Sequence, residues 1–177
     1  AGLSDEQRRV LETRLRGASP EDASREEQIP RRPHPDTAPL SLDQQRLWFL
    51  HQLEPESPAY NIPMIGRLKG SLAQNILEQS LQEVIERHEV LRTTFGSRDR
   101  QPIQIIAHNL PLSLSVVDVQ ASRDQELDAT IRGLAAHEIA RPFDLSKGPL
   151  VRATLWKLGP LDHVLLFVVH HIVFDAW

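Results

Sequence analysis

The strongest constraint on how this chain can fold lies near its C-terminal end. Residues 150–158, LVRATLWKL, and residues 163–174, HVLLFVVHHIVF, are two β-prone runs separated by GPLD at 159–162. Such a pair predicts a hairpin of two buried strands. Whatever else the sequence encodes has to be compatible with that sheet.

Upstream, helix and strand patterns interleave. Four segments open with Ser-x-x-Gln, at Ser4–Gln7, Ser41–Gln44, Ser71–Gln74 and Ser122–Gln125. Each places a hydroxyl at an N-cap and an amide at N3, where each can bond the other's orphan backbone N–H, so four helix starts are expected. The first helix runs from about Ser4 to Leu15 and stops at Gly17. The second, from Ser41 to Leu53, carries Leu47, Trp48 and Leu50 and is stopped by Pro55. The third, Ser71 to Leu91, has Leu72, Ile76, Leu77, Leu81, Val84, Ile85, His88 and Leu91 on one stripe. The fourth, Ser122 to about Ala140, turns Ile131, Leu134, Ala135 and Ile139 inward. NIPMIGRLKG, PIQIIAH and LSLSVVDV read as strands, the first ended by Gly70 and the second preceded by a polar turn at Arg98–Arg100. The expected class is α/β, an α+β two-layer sandwich with helices packed on a mixed sheet.

Three segments follow from this pattern: residues 1–17 as an N-terminal helix, 18–38 as a linker and 39–177 as the main domain. The linker stretch ASPEDASREEQIPRRPHPDTAP holds five prolines and many charges and has no apolar face to bury. At 177 residues the chain can bury a substantial core. Its net charge of −4 gives no basic footprint for nucleic acid or an anionic membrane. Zero cysteines exclude disulfides, thiolate catalysis and cysteine-bound zinc. The polar N-terminus is not a signal peptide, and the longest apolar run, Val164–Val169, is too short to span a bilayer. A cytoplasmic location is expected.

His170 and His171, at the end of the last strand, are the first candidates for chemistry. On a continuing strand they face opposite sides, His171 with Val169, Val173 and Asp175, His170 with Val168 and Ile172. An imidazole there can serve as a general acid or base, or as a hydrogen-bonded structural residue. Diverging histidines and one carboxylate make no obvious metal site. No G-x-S-x-G elbow is present for a serine nucleophile. His88, Glu89 and Arg92, within ERHEVLRTTF, form a second constellation that also reads as an ordinary charged helix end. The third, LSLDQQRLWFL at 40–50, reads equally as a core-facing, well-capped helix.

In this order LSLDQQRLWFLHQL, RHEVLRTTF and VVHHIVFDAW resemble the first three core motifs of condensation domains of nonribosomal peptide synthetases. Those domains are chloramphenicol-acetyltransferase-like acyltransferases. RPFDLSKGPLVRATLW, residues 141–156, is similar to the stretch that precedes the histidine motif, and the resemblance covers about Pro39 to Trp177.

The resemblance implies one lobe of a two-lobed domain, with the C-terminal lobe absent from this chain. The tunnel between lobes would admit phosphopantetheine arms of upstream and downstream carrier proteins, with no cofactor bound by the lobe itself. The activity implied is amide formation between a donor acyl or peptidyl thioester and an acceptor aminoacyl amine. His171 matches the catalytic histidine, as general base or by positioning the amine. His170 matches an orienting neighbour, and Asp175 a structural carboxylate paired with Arg92. Ala176 departs from the family's usual glycine. A tunnel needs both lobes, so this chain alone is expected to be inactive. Residues 1–38 suggest contact with an upstream module or partner protein. Two other classes stay open: a stand-alone acyltransferase using acyl-CoA, and a non-catalytic docking element.

Overall fold

A computed structural model describes residues 32–119 and 124–175, with the side chains of 124 and 125 left aside. The expected helix at 1–17, most of the 18–38 linker, the caps at Ser4 and Ser122 and the substitution at Ala176 lie outside those residues. The backbone divides after Pro33, and the unit described here begins at His34.

Its first element is a short strand, β1 (Thr37–Pro39). Thr37 and Ala38, which the sequence pattern assigns to the linker, are therefore strand residues, paired with Ile105 and Gln104. Helix α1 (Leu42–Leu53) follows, with the expected capping box formed in full: Gln44 N–H donates to the Ser41 hydroxyl, and Ser41 N–H donates to the Gln44 side chain. Strand β2 (Asn61–Lys69) ends at Gly70, whose φ of +110° admits glycine readily and other residues only with strain.

Helix α2 (Gln74–Arg87) is shorter than its apolar stripe predicts, and Ser71 does not cap it. Its N-cap is Ala73, which makes no side-chain cap bond. Ile85 is buried and Leu81 packs on the core, whereas Ile76 and Val84 are exposed. The helix ends at His88, and a 3₁₀ turn, Glu89–Arg92, leads directly into β3 (Thr93–Arg98). The sequence pattern does not predict that strand. Its residues, TTFGSR, include a single large apolar side chain, Phe95, and pairing with β4 (Gln101–Ile106) helps hold it extended. The joining turn has positive φ at both Asp99 and Arg100, as tight hairpin turns require.

Strand β5 (Leu114–Asp118), helix α3 (Asp124–Ala140), and strands β6 (Val151–Gly159) and β7 (Asp162–His170) complete the unit. Residues 150–174 form the expected hairpin, with β6 and β7 antiparallel. Two sheets result. One is β1-β4-β3; the other is β2-β7-β6-β5, mixed because β5 runs parallel to β6. Parallel neighbours need a crossover, which α3 supplies. The α/β class stands, with its mixed sheet accompanied by a second, antiparallel one.

Strand β2 forms an edge of the larger sheet, and its Pro63 suits that place because a proline has no N–H to give a further strand. The core lies along β6 and β7, where Leu155, Trp156, Leu166 and Val168 are almost wholly buried, with Phe95, Leu145 and Leu150 beside them.

Side-chain donors from the sheet close the end of α3. Asn61 donates to the carbonyls of Ile139 and Arg141 at 2.7 and 2.8 Å. Arg152 donates to those of Glu138, Arg141 and Pro142 and lies 3.8 Å over the Phe143 ring. Orphan carbonyls at a helix C-terminus need such donors once the end is covered. Burial first, and Arg141 second, push the Arg152 guanidinium down to about 10, which leaves it charged at neutral pH.

Candidate active site

β7 lies inside the larger sheet and ends at His170. The strand does not continue through His171 as expected; a 3₁₀ turn, His171–Val173, starts there. The two histidines still diverge, but because the backbone turns rather than because a strand alternates.

His170 is 3% exposed. Its Nδ1 accepts the Ile172 N–H at 3.1 Å, so it caps the turn that carries its neighbour. A nitrogen that accepts has no proton, so the neutral ring carries its proton on Nε2. The rings of Phe143, Tyr60 and His51 stand 6.1, 6.3 and 6.4 Å away, centroid to centroid. Burial above all, then the adjacent His51 and His171, pushes the His170 imidazole down to about 4.

His171 is half-buried and differently tied. Its N–H donates to the Tyr60 carbonyl at 2.8 Å, and its Nδ1 lies 2.8 Å from the Phe174 carbonyl. A carbonyl only accepts, so Nδ1 carries a proton, and in the neutral ring the lone pair is on Nε2. His171 lines a cleft of about 570 Å³, whose wall includes Ser41, Gln44, Arg46, Tyr60, Phe174 and Asp175. His170 lines a separate, smaller one of about 140 Å³ with His51 and Tyr60.

Asp175 shares the cleft with His171, but among the described residues the expected pair with Arg92 is not formed. Arg92 faces Glu89 at 3.5 Å and donates to the carbonyls of Glu86 and Ala107. Arg92 leads into the antiparallel sheet and has an acidic residue three positions before it, whereas Asp175 follows the mixed sheet. The arginine's needs are met locally. His88 is the exposed cap residue of α2 and stands outside the cleft.

Two residues here escape the sequence pattern. Gln44 reads as a capping residue, yet its side-chain amide also donates to the Ile172 carbonyl at 3.2 Å, joining α1 to the histidine turn. A signal exists: a capping box uses the amide oxygen and leaves its NH₂ to find an acceptor. Tyr60, in the loop before β2, supplies the carbonyl that holds the His171 backbone. No sequence signal marks a main-chain acceptor. Among the described residues, no three of His, Asp and Glu come together as a metal-binding group.

Residues 34–177 match the Condensation domain family. The chain belongs to the condensation domains of nonribosomal peptide synthetases. It is 42% identical over 181 residues to phosphinothricin tripeptide synthetase PhsC of Streptomyces viridochromogenes, a match covering all of this chain and 16% of that protein. It is 42% identical over 145 residues to chondramide synthase cmdD of Chondromyces crocatus, covering 82% of this chain and 4% of that one. Among solved structures, the starter condensation domain of rhizomide synthetase RzmA superposes with a TM-score of 0.71 at 30% identity, over 78% of this chain and 34% of that one. The described residues of this condensation-domain chain contain no helix long and apolar enough to cross a membrane.

Proposed function

We propose that this chain is the histidine-bearing lobe of a domain that forms amide bonds between thioester-borne substrates, with His171 as its catalytic residue. The observation that carries the reading is the hydrogen bond of His171 beside the cleft: Nδ1 lies 2.8 Å from the Phe174 carbonyl, which in the neutral ring leaves the lone pair on Nε2. In the reaction, the acceptor amine nitrogen adds to the thioester carbonyl carbon while Nε2 takes the proton that nitrogen loses. The C–S bond then breaks, the amide remains on the acceptor, and the proton leaves on the thiolate sulfur. Substrates would arrive on the phosphopantetheine arms of an upstream and a downstream carrier protein. Membership of the synthetase family supports that pairing. His170 keeps its neutral ring out of the chemistry and shapes the turn.

The chain spans 34% of the solved starter domain, so the 177 residues alone are expected to give no amide. Incubating them with two loaded carriers tests this, and amide formed above the uncatalysed background would contradict it. Residues 1–38 are proposed to contact an upstream module. Deletion of residues 1–33, which leaves the Thr37–Pro39 strand in place, should abolish that association and preserve the fold; unchanged association would refute the assignment.

A second reading has one specific observation in its favour. A mutant of the starter condensation domain of rhizomide synthetase RzmA has been solved in complex with C8-CoA, at 30% identity to this chain and a TM-score of 0.67. Under that reading the donor is an acyl-CoA. Supplying the complete protein with acyl-CoA in one assay and acyl-carrier in another separates the two: product from the carrier alone supports the first reading, product from the free thioester the second.

A further inference from the structure

The turn that presents His171 is fastened at several points, and two of them come from distant parts of the sequence. Tyr60 holds the His171 N–H, His170 holds the Ile172 N–H, and the Phe174 carbonyl holds His171 Nδ1. The fourth is Gln44, whose Nε2 donates to the Ile172 carbonyl across 128 positions of chain. Its Oε1 is meanwhile occupied by the Ser41 N–H at 3.0 Å. With both ends of its amide engaged, Gln44 is a fixed strut between the N-terminus of α1 and the peptide group that immediately follows Ile172.

We propose that Gln44 is a positioning residue: its amide sets the orientation of the 171–173 turn and thereby keeps His171 in its Nδ1–H tautomer. The proposal rests on the assignment of His171 as the reacting histidine, but its physical content concerns the ring itself. If the Ile172 carbonyl loses its donor, the turn relaxes and the Phe174 carbonyl no longer meets Nδ1. The proton then redistributes to Nε2, and the lone pair on that nitrogen is lost.

Long-range ¹H–¹⁵N spectra of the chain with ¹⁵N-labelled histidine read this out, because they distinguish the protonated ring nitrogen from the bare one. In the unaltered chain His171 is expected to show a protonated Nδ1. In Gln44→Met, which removes the amide at similar size, the ratio of Nδ1–H to Nε2–H should fall about tenfold, the effect of one lost hydrogen bond. Ser41→Ala weakens the same capping box but leaves the amide in place, and should leave the His171 signals where they were. Should the methionine variant not fold, Gln44→Glu retains the box and puts an acceptor against the Ile172 carbonyl, with the same expected result. Unmoved His171 signals in folded Gln44 variants would overturn the proposal, as would an equal shift in Ser41→Ala or a protonated Nε2 in the unaltered chain. Failure of the catalytic reading looks different: full condensation activity in His171→Ala would end that reading and leave the tautomer result untouched.

Discussion

His170 and His171 are neighbours with the same side chain and opposite environments. His170 sits among Phe143, Tyr60 and His51 with its Nδ1 used as an acceptor, and burial holds it neutral down to about pH 4. Its folded-state pKa lies below the ordinary 6.5, so the unfolded chain binds the extra proton. The stability this residue contributes is thus complete above pH 6.5 and is lost as the pH falls toward 4. By linkage it amounts to about 3 kcal/mol. His51, also lowered by burial and partly offset by Asp144 and Glu56, adds to the loss with the same sign. Urea denaturation between about pH 7 and 4.5 should show a steep fall in stability. His170→Asn, which cannot titrate, should flatten that fall, and an unchanged slope would mean that the ring is solvated. Sequence alone leaves these two residues interchangeable; only the family resemblance separates them. What distinguishes them physically is the onset of a turn at His171, and nothing in HHIVF marks where a strand stops.

At the level of elements, two identical motifs meet different fates. Ser41-x-x-Gln44 forms its capping box, whereas Ser71-x-x-Gln74 precedes a helix that begins at Gln74. Ser41→Ala is expected to cost about 1 kcal/mol and Ser71→Ala close to nothing, as measured by urea denaturation. Equal costs would show that the second box also forms. The long hairpin, the strand ending at Gly70 and the inward face of α3 are legible because their apolar periodicity is strong and their boundaries are marked. Strand β3 is not, since Thr93–Arg98 has Phe95 as its one large apolar residue and is held extended by pairing with β4 and by the Phe95 N–H bond to the Leu145 carbonyl. The Arg92–Asp175 pair fails for a related reason: proximity in a motif order says nothing about which carboxylate a guanidinium meets first, and Glu89 is one turn away. Helix α3 depends on a device that sequence does not reveal, the closure of its last carbonyls by Arg152 and Asn61. Arg152→Met should destabilise the chain by about 2–4 kcal/mol, because the carbonyls lose charged donors and Phe143 loses its cation. Arg152→Lys should recover only part of that, since an ammonium cannot span three acceptors as the guanidinium fork does. Full recovery by lysine would reduce the role of Arg152 to its charge.

At the scale of the described unit, its two most distant motifs converge on one cleft. LSLDQQRLWFL forms α1 and VVHHIVF forms the end of β7, and the Gln44–Ile172 bond brings them together beside the cleft. The exposed side of α1 mixes Leu42, Phe49 and Leu53 with Asp43, Gln45, Arg46 and Gln52, so the expectation of a core-facing helix holds for only one of its faces. Leu47 and Trp48 supply that inner face. The motif order is readable because it belongs to a family; the geometry that gives it a purpose is not, because it depends on hydrogen bonds to main-chain carbonyls. The role proposed for His171 is to carry the proton of the attacking amine. The most direct test is the rate of amide formation between donor- and acceptor-loaded carrier proteins, in the complete protein bearing this chain, for His171 and for His171→Ala. A loss of about 10²–10⁴-fold is expected in the alanine variant, with carrier loading unchanged. An alanine variant that condenses at the original rate would contradict it.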